Sequence, residues 1–406
     1  MISFLSKTRR RKCALVLVLA GGSVLLSPVL DAQKPKVSAV ADAPVWSVNL
    51  LEFGYNGEIP GSKRMAELTG FGSVFFVGDD TVVCTFLTSE TVPGLQRRDD
   101  PNLILPFKLH AVLLDAATGK MRKTLDWGSG DVNIGLFGRT DGTFVMFSEE
   151  KATVFSRDGQ VLDEVHRPSA SPASATLKSI RVSPSGSTLA VTYSGASDFD
   201  CDWIDTNAKA WARKKCGIVD DVAIADGFLA MRRIATNGDP IPGVWVRDLN
   251  EDWHVLCQLL AGCDSPEFID NQNLLLYNRR ELRLVSLTGK VPVHLEINTY
   301  GDWGVASSRP IRSSMDGHRF GVLITESNTA RDRVIGAEKD AVPLRLAIYD
   351  IPSHQWVFGV ENKKKMIRRD SLFALSNSGA GIAFLSGGFV RYYSAAPPAS
   401  ASAHQQ

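Results

Sequence analysis

The sequence predicts an all-β fold, a β-propeller of about seven four-stranded blades whose ring is closed by an N-terminal strand. Three observations carry that prediction. Short β-type runs recur through residues 44–394, and Gly, Pro, Asp or Asn interrupts each before a long amphipathic helix could form. The runs group into units of one strand, a polar turn, an apolar strand, then two further strands joined by a tight turn, a repeat of blade size. The last unit runs out of chain after three strands, while Val45-Trp-Ser-Val-Asn-Leu50 has no other partner. Lending that run to the last unit as its fourth strand closes the ring and removes its open edges.

The units read in order as follows. The first holds Gly72–Val77, Thr81–Thr88, His110–Asp115 and a last strand ending near Trp127. The second holds Ile134–Phe137, Thr143–Ser148, Ala152–Ser156 and Val161–Val165, with turns at Thr140-Asp-Gly142 and Arg157-Asp-Gly159. The third is marked by Ile180–Thr192 and the fourth by Val222–Met231. The fifth contains Glu267–Tyr277 and Leu282–Leu287, and the sixth Ile311–Ile324 and Leu344–Val360. The seventh is Leu372–Leu385 followed by Val390-Arg-Tyr-Tyr393. Gln355-Trp-Val-Phe-Gly-Val360 is the outer strand that Val45–Leu50 most resembles in composition.

Outside the repeat, residues 1–32 have the order of a secretory signal peptide: a basic run at 9–12, an apolar stretch from Cys13 to Leu26, Pro28, and a small residue at Ala32. Cleavage is expected after Ala32, leaving 33–43 as a linker and 395–406 as a low-complexity, disordered tail. The chain carries a net charge of +1 overall, but five basic residues against one acid lie in 1–32, which leaves the remainder mildly acidic. An acidic remainder excludes the clustered positive footprint that nucleic acid requires. A periplasmic or secreted monomer with no membrane span in the mature chain is expected.

Val182-Ser-Pro-Ser-Gly-Ser-Thr-Leu-Ala-Val191 resembles the turn sequence of WD40-like and YVTN-type propellers, and Leu114-Asp-Ala-Ala-Thr-Gly-Lys120 and Ala347-Ile-Tyr-Asp350 are similar to their third-strand signature. The pattern covers roughly 44–394. It departs from true WD40 repeats in that Gly317-His318 is isolated and no Trp-Asp dipeptide closes the third strands. The resemblance implies a propeller and no particular function.

In a four-stranded blade the loops between the second and third strands emerge together on one face. Three of them are long: Ser89–Phe107 with Arg97, Arg98, Asp99 and Asp100, Arg232–Pro242 with Arg232 and Arg233, and Thr325–Val342 with Arg331, Asp332 and Arg333. Long loops clustered on one face of a compact repeat suit binding, and their Arg and Asp content suits a protein, peptide or glycan partner. No cofactor is required by this reading. Asp198, Asp200 and Asp202 alternate in the third unit and are the candidate oxygen ligands for a calcium ion, although no EF-hand Gly and Glu follow them.

Cysteine use fits an oxidising compartment. Cys84, inside an apolar run, reads as a buried free thiol. With a turn at Thr206–Lys209, Cys201 is expected opposite Cys216 and bonded to it, and Cys257 and Cys263 are expected to close a small loop. Catalytic patterns are missing: the histidines at 110, 166, 254, 294, 318, 354 and 404 show no metal spacing, and no GxSxG elbow or P-loop occurs. The expectation is an exported, non-catalytic binding or scaffold propeller. The alternative is a carbohydrate-active hydrolase or lyase with two carboxylates in its central funnel.

Overall fold

The computed structural model describes residues 16–18, 38–55, 72–89, 107–129, 134–148, 150–168, 176–194, 199–217, 219–233, 243–250, 254–260, 265–277, 281–287, 293–296, 302–305, 311–327, 343–361 and 371–395. They form seven antiparallel blades around an axis, each built of strands a to d from the centre outward. Blade 1 comprises Gly72–Val77, Thr81–Ser89, Phe107–Asp115 and Met121–Ser129. Blade 2 comprises Gly135–Gly138, Phe144–Phe147, Lys151–Phe155 and Val161–His166, and blade 3 comprises Thr176–Val182, Thr188–Ser194, Phe199–Asp205 and Ala210–Gly217. Blade 4 is Val219–Ala225, Phe228–Arg233, Gly243–Asp248 and His254–Leu260; blade 5 is Ser265–Phe268, Asn273–Tyr277, Glu281–Ser286 and Val293–Glu296. In blade 6, strand a is split into Asp302–Val305 and Ile311–Ser313, both paired with Arg319–Ser327, followed by Pro343–Asp350 and Gln355–Glu361.

Blade 7 closes the ring as the sequence predicts. Leu372–Leu375, Gly381–Ser386 and Phe389–Ser394 are completed by Trp46–Asn49, which pairs antiparallel with Phe389–Ser394 from Trp46 opposite Tyr392 to Asn49 opposite Phe389. Trp46 stacks on Tyr392 at 5.3 Å between ring centroids, and its indole N–H donates to the Ala116 carbonyl of blade 1 at 2.8 Å. One N-terminal residue thereby ties together the two blades where the ring begins and ends. Two further short strands lie on outer edges: Val40–Ala41 runs parallel to strand d of blade 6, and Val16–Val18 pairs antiparallel with strand d of blade 4.

The apolar runs are continuous because each blade is buried on both faces, which abolishes the usual in–out alternation. Alternate residues of one strand serve different interfaces. Phe75 and Val77 pack toward blade 2, whereas Val74 and Phe76 pack toward blade 7. Ile382 and Phe384 face blade 6, whereas Ala383 and Leu385 face blade 1. Every neighbouring pair of blades shares one such apolar cluster, so the core is a ring of layers rather than a single centre. Cys84 lies in one of these layers as a buried free thiol, and burial pushes its pKa up.

A second set of contacts, polar ones, links neighbouring blades through the turns between strands a and b. The Thr140 N–H of blade 2 donates to the Ser185 carbonyl of blade 3 at 2.9 Å, and the Ser185 hydroxyl donates to Asp226 of blade 4 at 2.7 Å. Asp226 in turn accepts from the Asn271 side chain of blade 5 at 3.3 Å, while its own N–H donates to Asn271 at 3.0 Å. The Asp316 N–H of blade 6 donates to the Asn377 carbonyl of blade 7, and the Ser378 N–H reaches Asp79 of blade 1, both at 3.1 Å. The turn resembling the propeller signature, Ser183–Thr188, closes on the Thr188 carbonyl at 2.8 Å and places Gly186 at φ +77°. That left-handed geometry favours glycine.

Candidate binding site at the propeller axis

The a strands surround an axial channel that holds a cavity of about 180 Å³. Phe75, Phe137, Phe268, Ile311 and Phe373 supply apolar wall, and Arg181, Glu267, Tyr277 and Arg312 interrupt it. A strand position facing the axis meets no neighbouring blade, so a polar side chain there escapes the packing that keeps the blade faces apolar. Blades 3 to 6 all use that freedom. Lys178 and Arg181 come from strand a of blade 3, Asp221 from blade 4, Glu267 from blade 5 and Arg312 from blade 6. Tyr277 ends strand b of blade 5, and Arg232 stands one residue before the end of strand b of blade 4. Since strand a begins and strand b ends on the face that bears the b–c loops, Lys178, Arg232 and Tyr277 lie toward that face, whereas Arg312, opposite Gly321 beside the a–b turn, lies toward the other.

The contacts are directional. Arg181 donates from Nη2 to the Asp221 carboxylate at 2.7 Å and from Nε to the Val222 carbonyl at 3.1 Å. Lys178 donates to the Val219 carbonyl at 2.9 Å, and Arg232 to the Ser265 hydroxyl at 3.1 Å. Arg312 differs: among the described residues its one hydrogen bond is from Nη1 to the Ile311 carbonyl at 2.8 Å, a contact within its own strand. Among the described residues, four cations, Lys178, Arg181, Arg232 and Arg312, stand near two carboxylates, Asp221 and Glu267.

The electrostatics follow from that imbalance. Burial opposes the Arg181 charge, but Asp221 and Glu267 together outweigh it and hold the guanidinium pKa above its ordinary value. Arg312 goes the other way, because burial and repulsion from Arg181 exceed the attraction of Glu267. Lys178 is likewise lowered, by burial first and by Arg232 and Arg181 against Asp221. Tyr277 is raised by burial and by the two nearby carboxylates. The Arg312 side of the channel is thus positively charged with incomplete compensation.

Of the residues the sequence singled out, Arg97, Arg98, Asp99, Asp100, Arg331, Asp332, Arg333, Asp198 and Cys263 lie outside the described residues. Arg232 and Arg233, read as the start of a loop, belong to strand b of blade 4, which extends through Arg233 because its ladder with Gly243–Asp248 continues to Arg233 opposite Gly243. Cys257 sits in strand d of blade 4, opposite Val246. The Cys201–Cys216 disulfide is present, with Cα atoms 5.9 Å apart and both residues buried. Its predicted register is not: Cys201 stands opposite Lys214. A bulge between Phe199 and Asp200 leaves Cys216 as the extra residue on strand d, and this brings it within reach of Cys201 diagonally.

Asp202 is fully buried and grips the Arg213 guanidinium at 2.5 and 2.8 Å, with Arg167 at 3.6 Å, and both guanidinium groups stack on Tyr193. Asp200 pairs with Lys215 at 2.7 Å. Among the described residues no three His, Cys, Asp or Glu side chains are grouped to hold a metal ion, and no helix is long and apolar enough to cross a membrane.

The axial cluster is not legible from sequence spacing, because its residues come from four separate blades. Its signal is a charged residue on the inner strand, repeated in Arg181, Asp221, Glu267 and Arg312 across four consecutive blades.

No family model and no curated protein matches the chain. Among solved structures it is similar to the Pan2 WD40 domain of Neurospora crassa, at 10% identity and a TM-score of 0.47, over 89% of this chain and 98% of that one. The WD40 domain of Toxoplasma gondii coronin is similar at 9% identity and 0.46, over 79% of each chain. TolB from Acinetobacter baumannii is similar at 11% identity and 0.39, over 76% of this chain and 79% of that one. The propeller assignment rests on the sheet order and ring closure above.

Proposed function

We propose that this seven-bladed propeller is an exported, non-catalytic binding or scaffold module that meets a protein, peptide or glycan partner on the face bearing its b–c loops. The observation that carries this reading is the charged cluster about the axis, whose Lys178, Arg232 and Tyr277 are borne by the ends of strands that open on that face. The long Arg- and Asp-rich loops connect the same ends. A rigid ring stabilised by interblade layers and turn contacts supplies a fixed platform, which lowers the ordering cost of binding.

Export is supported by the signal-like order of residues 1–32 and by the buried Cys201–Cys216 disulfide, which needs an oxidising compartment to persist. The carbohydrate-active alternative has no observation in its favour: it asks for two facing carboxylates available to substrate, and in the channel Asp221 is committed to Arg181.

The test is affinity recovery from the native cell envelope with the mature chain and with two variants, Arg97→Ala/Arg98→Ala and Arg331→Ala/Arg333→Ala. A partner retained by the parent protein and depleted at least several-fold by one variant, with unchanged melting, supports the reading. Equal recovery by all three proteins removes the loop face from consideration.

A further inference from the structure

We propose that the axial cavity is a binding pocket for an organic carboxylate, with the Arg312 guanidinium as its receptor and the phenylalanine-lined wall holding the apolar part of the ligand. The inference is independent of any partner on the outer loops, since its site is formed by the inner strands alone.

Three features converge. First, the cavity has the right size: its volume of about 180 Å³ is close to that of a cavity of about 150 Å³ that accepts benzene, so it suits an acid with a single ring or a short chain. Second, its lining has the mix of a small-molecule site, apolar wall with convergent polar groups. Phe75, Phe268 and Phe373 stand with Arg181, Arg312 and Tyr277 around one half-open cavity.

Third, the polar groups are unequally occupied. Arg181 is held by Asp221 and the Val222 carbonyl, which fixes it as part of the wall. Among the described residues Arg312 binds only the carbonyl of the residue before it, leaving donors of a rigid fork for a ligand beside the cavity. Burial and Arg181 destabilise its charge more than Glu267 relieves it. A carboxylate arriving beside Arg312 would correct that deficit, whereas a neutral ligand or a second cation would not. Tyr277, protonated throughout the physiological range, is a hydroxyl donor on the same lining.

The choice of a carboxylate over a phosphate follows from charge. Glu267 lines the same cavity and would repel a dianion more strongly than a monoanion. The carboxylate could belong to a free small acid or to the chain terminus of a peptide, and the probes separate the two.

The experiment is calorimetric titration of the mature, disulfide-intact protein at pH 7 with benzoate, benzamide, N-acetyl-glycyl-phenylalanine and its amide. Saturable binding of one acid is expected, with the matching amide at least about tenfold weaker, since the difference is one charge-assisted contact. Arg312→Met should lose at least about tenfold, while Arg312→Lys, which keeps the charge without the fork, should lose less. Tighter binding of the peptide acid than of benzoate assigns the carboxylate to a chain terminus; the reverse assigns it to a small acid. The acid–amide comparison needs no variant and holds even if Arg312→Met fails to fold. No binding of either acid up to about 10 mM, equal binding of acid and amide, or undiminished binding by a folded Arg312→Met protein overturns the proposal.

Discussion

Replacing Gly186 by Ala tests whether the polar contacts through the inner turns hold neighbouring blades together. Gly186 and Gly142 occupy corresponding turns of blades 3 and 2, with φ of +77° and +80°. An alanine at either position suffers the left-handed strain, about 1 kcal/mol. There the similarity ends. A Cβ at Gly142 meets nothing within 4 Å, while at Gly186 it lies 2.2 Å from the Gly138 carbonyl oxygen and 2.7 Å from the Arg139 Cα. Carbon and oxygen tolerate about 3.3 Å, so the blade 3 turn must withdraw by about 1 Å. Both obstructing atoms are backbone, so no side chain can rotate away. The withdrawal strains the Thr140–Ser185 hydrogen bond of 2.9 Å and the 2.6 Å contact from Arg139 to Asn207. Adding an overpacking cost of about 1–3 kcal/mol, Gly186→Ala should destabilise by about 2–4 kcal/mol against about 1 for Gly142→Ala. Urea unfolding followed by tryptophan fluorescence, at matched slopes, gives the difference. Losses equal within about 0.5 kcal/mol would refute the close-approach argument.

Three further outcomes follow from the same structure. Replacing both Cys201 and Cys216 by Ser opens a loop with a sequence separation of 15, worth about 3 kcal/mol in the chain-entropy account, and should lower the urea midpoint without changing the far-UV spectrum. Asp226 has its pKa lowered: burial alone would raise it, but hydrogen bonds from Ser183, Ser185, Ser187 and Asn271 win. Its contribution is therefore complete above the unfolded value of about 3.9 and lost as pH falls through the lower folded value. The stability gap between the parent and Asp226→Asn should be widest near neutrality and shrink in acid, and a gap that widens below pH 4 would contradict this. Trp46→Ala removes the stack on Tyr392 and the bond to Ala116, so about 3–5 kcal/mol of stability should be lost and proteases should release the N-terminal strand first.

The repeat was legible because each strand's chemistry is local. Turn residues such as Thr140-Asp-Gly142, and apolar runs such as Ile382–Leu385, mark blade strands wherever they occur, and the unpaired Val45–Leu50 run pointed to ring closure. The disulfide partners were also legible, but the register was not. The turn at Thr206–Lys209 predicts Cys201 opposite Cys216, but the ladder sets Lys214 there, and only the bulge at Phe199–Asp200, a product of twist and packing, brings Cys216 within reach.

By itself, the sequence determined a seven-bladed ring, its closure by an N-terminal strand and the buried state of Cys84, because period, turn chemistry and apolar runs are written in consecutive residues. Only the tertiary structure decided that Arg181, Glu267, Tyr277 and Arg312, spread over four strands, line one axial cavity. Arg181 and Arg312 are identical side chains on equivalent inner strands, yet one is committed to Asp221 and the other faces a cavity. That difference is set by which neighbour the ring places beside each, and such a neighbour is tens of residues away along the chain.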